Sequence, residues 1–267
     1  MSLPVYPQIQ SFVDYLKFEK RYSAHTIRSY QDDLIQFFDF LEIQYGNLAL
    51  TEISLSFVRS WLAFLKENKL TSKSINRKIS SLRSFFKYQL KTGTIEDTPM
   101  TNVIAPKVSK RLPSYVTERD TETLFKYIEF PDNWEGRTDR LLLAIFYNTG
   151  IRLSELINLK ENQVNDSNNT IKVLGKGNKE RIIPVNKSLV SEITLYITEK
   201  ERQLVTPDRI VLLVSSKGKK LYQKQVYNSV NKYLSAVTTI DKKSPHILRH
   251  SFATHMANNG ADLNAIK

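Results

Sequence analysis

The chain has 267 residues with no cysteine, 8 glycines and 9 prolines. This excludes a disulfide framework, a cysteine-ligated zinc site, thiol catalysis and a collagen-like or linker-dominated chain. With 39 Lys and Arg against 27 Asp and Glu, a net charge of +12 and 41% hydrophobic residues, it can bury sizeable cores, and its charge points to a polyanionic partner.

The excess charge is not a tail: residues 1–111 carry 16 basic and 10 acidic groups, and the remainder 23 and 17. The N-terminal Met-Ser-Leu-Pro-Val-Tyr lacks the basic and apolar runs of a secretory signal, and no apolar run is long enough to span a bilayer. A cytoplasmic protein with no membrane partner is expected.

In chain order, Ile9, Phe12, Val13 and Leu16 recur at helical spacing and predict a helix from Val5 to Lys20. Ser23 can cap a second helix, with Ile27, Leu34, Phe37, Phe38 and Leu41 on its inner face. Ser54 or Ser56 opens a third, carrying Val58, Trp61, Leu62 and Leu65. Ser72 or Ser74 opens a fourth, with Ile75, Ile79, Leu82 and Phe86 inward. Gly46 and Gly93 fall where helices should stop. Four helices with short connections predict a small bundle. From Thr94 to Pro113 the prolines at 99, 106 and 113, with Lys107, Lys110 and Arg111 between them, read as an extended basic linker.

The second half is mixed. Helices are predicted over Thr117–Glu129, with Thr117 as cap, over Asp139–Asn148, and over Arg152–Leu159. Thr170–Leu174 and Arg181–Val185 read as two strands around the turn Gly175-Lys-Gly-Asn-Lys179. Ile210–Val214 reads as a strand. Helices return over Gln223–Val237 and His246–Asn258, the last with Ser244 as N-cap, Pro245 in its first turn and Leu248, Phe252 and Met256 as the core stripe. The expected fold class is therefore mainly α with a small β-sheet.

Three segments can carry chemistry. In the last helix His246 and Arg249, three apart, share a face near a helix N-terminus, which suits a phosphate. In Thr149-Gly-Ile-Arg-Leu-Ser-Glu-Leu156, Arg152 and Glu155 are three apart, so the carboxylate can orient the guanidinium for bidentate phosphate binding. Lys176 projects from the Gly-rich turn, where an ammonium could reach a phosphate or protonate a departing alkoxide. Each residue taken singly also reads as ordinary surface or ion-pair chemistry. His246, His250 and His255 have zinc-like spacing, but no cysteine or His-Glu-x-x-His pattern supports a metal site.

Together these segments resemble the tyrosine site-specific DNA recombinases, in particular the Xer type, over essentially the whole chain. Thr149–Leu159 is similar to that family's first-arginine block, Gly175–Val185 to its hairpin lysine block and Pro245–His255 to its His-x-x-Arg block. Ser74–Phe86 resembles the DNA-facing helix of its core-binding domain. The resemblance implies a four-helix, SAM-like core-binding domain at 1–104, a basic linker at 105–115 and an α+β catalytic domain at 116–267.

The resemblance also assigns roles. Arg152 and Arg249 would clamp the scissile phosphate, Lys176 would protonate the leaving 5′ oxygen, His246 would assist proton transfer, and Glu155 would stand behind them. Asn76, Arg77, Ser80 and Arg83 would face double-stranded DNA. No cofactor or metal is implied, and full-length relatives would act as homo- or hetero-tetramers on DNA, with chromosome partition at cell division among the outcomes such chemistry serves. None of the thirteen tyrosines matches the nucleophile position, since the last, Tyr233, precedes His246. The chain as given is expected to bind DNA without cleaving it. A non-catalytic DNA-binding regulator of the same fold is the alternative; the joint presence of Arg152, Lys176, His246 and Arg249 separates the two.

Overall fold

The computed structural model describes residues 6–109, 114–175 and 179–262. The chain divides into two compact units on either side of the 111–112 peptide bond.

The first unit is helical. Helix α1 (Pro7–Asp14) passes into a single π-helical turn at Tyr15–Glu19, followed by α2 (Ala24–Tyr45), α3 (Leu55–Glu67) and α4 (Ser72–Lys91). The unbroken first helix expected through Lys20 therefore changes its hydrogen bonding at Tyr15, and Arg21 leaves the helix at φ +52°. Ser23 caps α2 by accepting the Thr26 N–H, whereas α4 is capped by Thr71, which accepts the Ser74 N–H, and neither Ser72 nor Ser74 takes that place. Thr71 has the extended backbone a cap requires, and Ser72 is already the first helical residue.

Phe37, Trp61, Phe85 and Phe86 meet in the middle of the unit at edge-to-face distances of 5.1–6.4 Å. Ile95, Met100 and Val103 are buried with them. The segment after α4 is thus part of this core for its first ten residues, because those three apolar side chains outweigh the proline content read as a linker.

The second unit contains α5 (Glu118–Lys126), α6 (Trp134–Thr149), α7 (Leu153–Ile157), the antiparallel strands β1 (Val164–Asn165), β2 (Thr170–Leu174) and β3 (Glu180–Pro184), then α8 (Lys187–Gln203), α9 (Gln223–Val237) and α10 (Pro245–Asn258). Helix α6 is the central element: Leu141 through Phe146 are all buried, as expected for a helix covered on every side. It begins five residues before Asp139, since Asn133 accepts the Gly136 N–H and caps a first turn that its glycine obscured in the sequence.

Ile210–Val214 is not a strand. It makes only isolated bridges, Lys160 with Val211 and Val214 with Lys220. Its polar groups are met instead by Leu159 O, Trp134 Nε1 and the Tyr196 hydroxyl. Val211 to Val214 are buried in succession, a pattern that periodicity alone does not assign to one structure.

Candidate active site

Helix α6 ends at Gly150, which adopts φ +56°, a conformation that carries no penalty in glycine. A Cβ there would collide with the ring of Phe252 on α10. This close approach packs α10 on the end of α6, and across it Arg249 Nη1 donates to the Gly150 carbonyl. Arg152, two residues later, stands at the N-cap of α7.

Glu155 lies at the centre. Its side chain is 4% exposed. Its Oε2 accepts the Arg152 backbone N–H at 2.7 Å and its Oε1 accepts Arg152 Nη1 at 2.9 Å. Arg181, on β3, donates to both oxygens, Nη1 to Oε1 at 2.9 Å and Nη2 to Oε2 at 2.8 Å. Burial pushes the Glu155 carboxyl up, but the bonds from Arg181 and then from Arg152 outweigh it and hold the group at about 2. Arg249 is shifted down, first by burial and then by the neighbouring Arg152 charge. Two guanidiniums, Arg152 at the start of α7 and Arg181 on β3, therefore share one carboxylate, and with Arg249 within electrostatic reach of both the cradle is net positive.

Arg152 and Arg249 are brought together, with Glu155 between Arg152 and the sheet. His246 is exposed, one turn before Arg249 on α10. Lys176 lies outside the described residues; Gly175 and Lys179, which flank the turn, are joined by a 2.7 Å bond from Gly175 N–H to Lys179 O. The expected core stripe of α10 is rotated. Ile247, Leu248, Ser251 and His255 are buried, while Met256 is exposed. Ser251 turns inward because its hydroxyl receives the Val116 N–H at 2.8 Å, so a polar residue takes an inner position that hydrophobicity assigned elsewhere. Ser244 stands at the N-cap of α10 with no side-chain capping bond.

Arg181 was not singled out from the sequence. Its signal is positional: β3 alternates exposed and half-buried, with Arg181 and Ile183 on the inner side, and a charged residue in an inward register calls for a buried partner.

On α4, Arg77, Ser80 and Arg83 are exposed and Asn76 is half-buried. Arg77 pairs with Asp33, Asn76 Nδ2 donates to Pro106 O at 2.9 Å, Arg83 Nη2 to Val103 O at 2.7 Å, and the Ser80 hydroxyl to Asn76 O at 3.0 Å. Asp33 on α2 is buried and also receives Lys78 Nζ and the Ser81 hydroxyl, each at 2.8 Å. Lys87, farther along α4, is exposed and without a bonded partner among the described residues.

Among the described residues no group of three His, Asp or Glu is placed to hold a metal ion, and no helix is long and apolar enough to cross a membrane.

Residues 114–267 match the phage integrase family, and residues 9–93 match the phage integrase N-terminal SAM-like domain. Tyrosine recombinase XerC of Staphylococcus epidermidis is 37% identical over 259 residues, covering 97% of this chain and 86% of that protein. XerC of Staphylococcus aureus is 36% identical over 258 residues, covering 97% and 85%. In fold, the chain is similar to the XerH site-specific recombinase bound to its palindromic difH substrate, with TM-score 0.75, 22% identity and coverage of 97% and 76%. It is also similar in fold to the Tn1549 transposon integrase in complex with circular intermediate DNA, with TM-score 0.74, 19% identity and coverage of 97% and 89%. With both domain models matched in chain order and the identity to XerC sustained over nearly its full length, the chain belongs to the phage integrase family, among the Xer-type tyrosine recombinases.

Proposed function

We propose that this recombinase cuts and rejoins duplex DNA through a 3′-phosphotyrosine, with Arg152 and Arg249 holding the scissile phosphate. The observation that carries this reading is the junction at Gly150, where the α10 arginine is anchored two residues from the α7 arginine. Two fixed guanidiniums stabilise the charge that builds on the nonbridging oxygens during transfer, without a metal. A tyrosine hydroxyl attacks phosphorus and gives up its proton, with His246 assisting. The bond to the 5′ oxygen breaks, and Lys176 protonates that oxygen. The phosphotyrosine ester conserves the bond for rejoining, so no nucleotide cofactor is consumed.

Helix α4 approaches the major groove with Asn76, Arg77, Ser80 and Arg83, and the domains divide near the basic segment at 105–115. Synapsis of two DNA sites calls for four protomers.

None of the described tyrosines bonds to Arg152, His246 or Arg249, and Tyr233 is buried against Phe130 at 4.5 Å. On this reading the nucleophile is a tyrosine that follows the α10 block, a position none of the thirteen tyrosines occupies, and we expect the 267-residue polypeptide to bind DNA without forming a covalent adduct. Incubation with a nicked suicide duplex carrying the recombination site, followed by denaturing electrophoresis, tests this. No adduct is expected from the chain alone. Adding a C-terminal segment that carries the nucleophile should produce one, and replacing its tyrosine by Phe should abolish it. An adduct from the chain alone would overturn the tyrosine assignment.

A further inference from the structure

We propose that Arg181 is a positioning residue for phosphate binding, acting through Glu155 to keep Arg152 available as a cation. The inference rests on the reading of Arg152 and Arg249 as phosphate ligands and adds a third arginine, one that acts without touching the substrate.

Three observations support it. Arg181 occupies both oxygens of Glu155 in a fork-to-fork pair, the strongest geometry available to a carboxylate. Arg152 consequently gives the carboxylate one side-chain bond through Nη1, while its Nη2 and Nε carry no hydrogen bond among the described residues. Its side chain is 42% exposed, against 4% for Glu155, so the free edge of the guanidinium is the part open to a ligand. Removing Arg181 would leave a buried carboxylate with Arg152 as its hydrogen-bonded cation, and the two would close into the bidentate pair that Arg181 now makes. The phosphate would then compete with Glu155 for Arg152.

The same pair bears on the hairpin. A Cβ on Gly175 would lie 3.1 Å from Arg181 Nη1 and 3.7 Å from Glu155 Oε1. The backbone that leads to Lys176 therefore runs directly over the Arg181–Glu155 pair, and one interaction sets the base of the lysine hairpin and the attitude of Arg152 together.

The test uses dimethyl phosphate, a phosphodiester whose single charge is constant from about pH 7 to about pH 4. Its affinity is read from the slope of the ¹⁵N-detected Arg152 and Arg249 Nε–Hε shifts, assigned with Arg→Lys variants. The charged groups facing Glu155 are Arg152 at the start of α7, Arg181 on β3 and Arg249 on α10. His246 is common to all variants, so the ratio of R181Q to the unmodified chain is compared at each pH. At neutral pH R181Q should bind roughly tenfold more weakly, the effect of restoring one uncompensated charge. The ratio should rise on acidification, because removing Arg181 takes away the largest interaction that offsets burial of Glu155, so its carboxyl moves up and is protonated more readily than in the unmodified chain. E155Q/R181Q, in which no carboxylate remains to compete for Arg152, should bind more tightly than R181Q at neutral pH and show no gain on acidification. If R181Q fails to fold, R181K carries the test: it keeps the charge but cannot occupy both Glu155 oxygens as the guanidinium fork does, and it should show the same neutral-pH loss and the same recovery on a smaller scale.

A ratio that is low but independent of pH, or a double variant as weak as R181Q, would mean that Arg181 is a structural strut and would overturn the inference alone. If dimethyl phosphate moves neither arginine resonance in the unmodified chain, the phosphate-site reading falls, and this inference with it.

Discussion

At the scale of single residues, Glu155 sets the chemistry of the centre. Its carboxyl is held at about 2, below its value in an unfolded chain, so the folded state prefers it ionised. The stability this contributes is complete above the unfolded value of about 4.3 and is lost as pH falls from there through about 2. Thermal unfolding followed by circular dichroism should therefore show a steeper loss of melting temperature for the unmodified chain than for E155Q as pH is lowered across that window. E155Q itself should be less stable at neutral pH, because Arg181 and Arg152 lose their charged acceptor. Equal slopes for the two proteins would show that Glu155 does not carry this linkage.

Among elements, the junction of α6 with α10 and the pairing of α2 with α4 are the sensitive points. Gly150→Ala imposes a left-handed conformation on a Cβ-bearing residue and drives that carbon into Phe252. Urea titration should show a loss of about 2–4 kcal/mol from strain and overpacking, together with weaker phosphate binding, because Arg249 is anchored on the same residue. On α4 the Lys78 side chain is 4% exposed and is paired with Asp33. Asp33→Asn leaves a buried ammonium uncompensated and should cost about 3–5 kcal/mol; D33L/K78M, which removes both charges, should recover much of that loss in the same titration. The helices, the hairpin and the blocks around Arg152 and Arg249 were legible in the sequence because amphipathic spacing, caps and turn glycines are local signals. Three features were not. The π turn at Tyr15 shares its apolar spacing with an α-helix. The Ile210–Val214 segment has its hydrogen-bond partners far away in the chain. Arg181 acquires its meaning only when β3 is laid against Glu155, 26 positions earlier in the sequence.

For the whole molecule, the charge of +12 should make DNA affinity fall steeply with salt, by about 0.9 log unit per phosphate contact for each log unit of salt. Lys87→Ala should shrink the log–log slope by about 1 with no change in melting temperature, since Lys87 has no bonded partner among the described residues. Arg83→Ala should lower both the slope and the melting temperature, because its guanidinium also holds the Val103 carbonyl. Fluorescence anisotropy against ionic strength, with melting curves on the same samples, separates the two effects, and a slope near zero for the unmodified chain would contradict phosphate-driven binding. The two aromatic cores have one more consequence. The chain has two tryptophans, and they are buried one in each unit, Trp61 among the phenylalanines of the first and Trp134 against Tyr196 in the second. Each unit thus carries its own intrinsic fluorophore, so W61F and W134F variants turn the emission spectrum into separate unfolding curves for the two halves of the chain, without any added label.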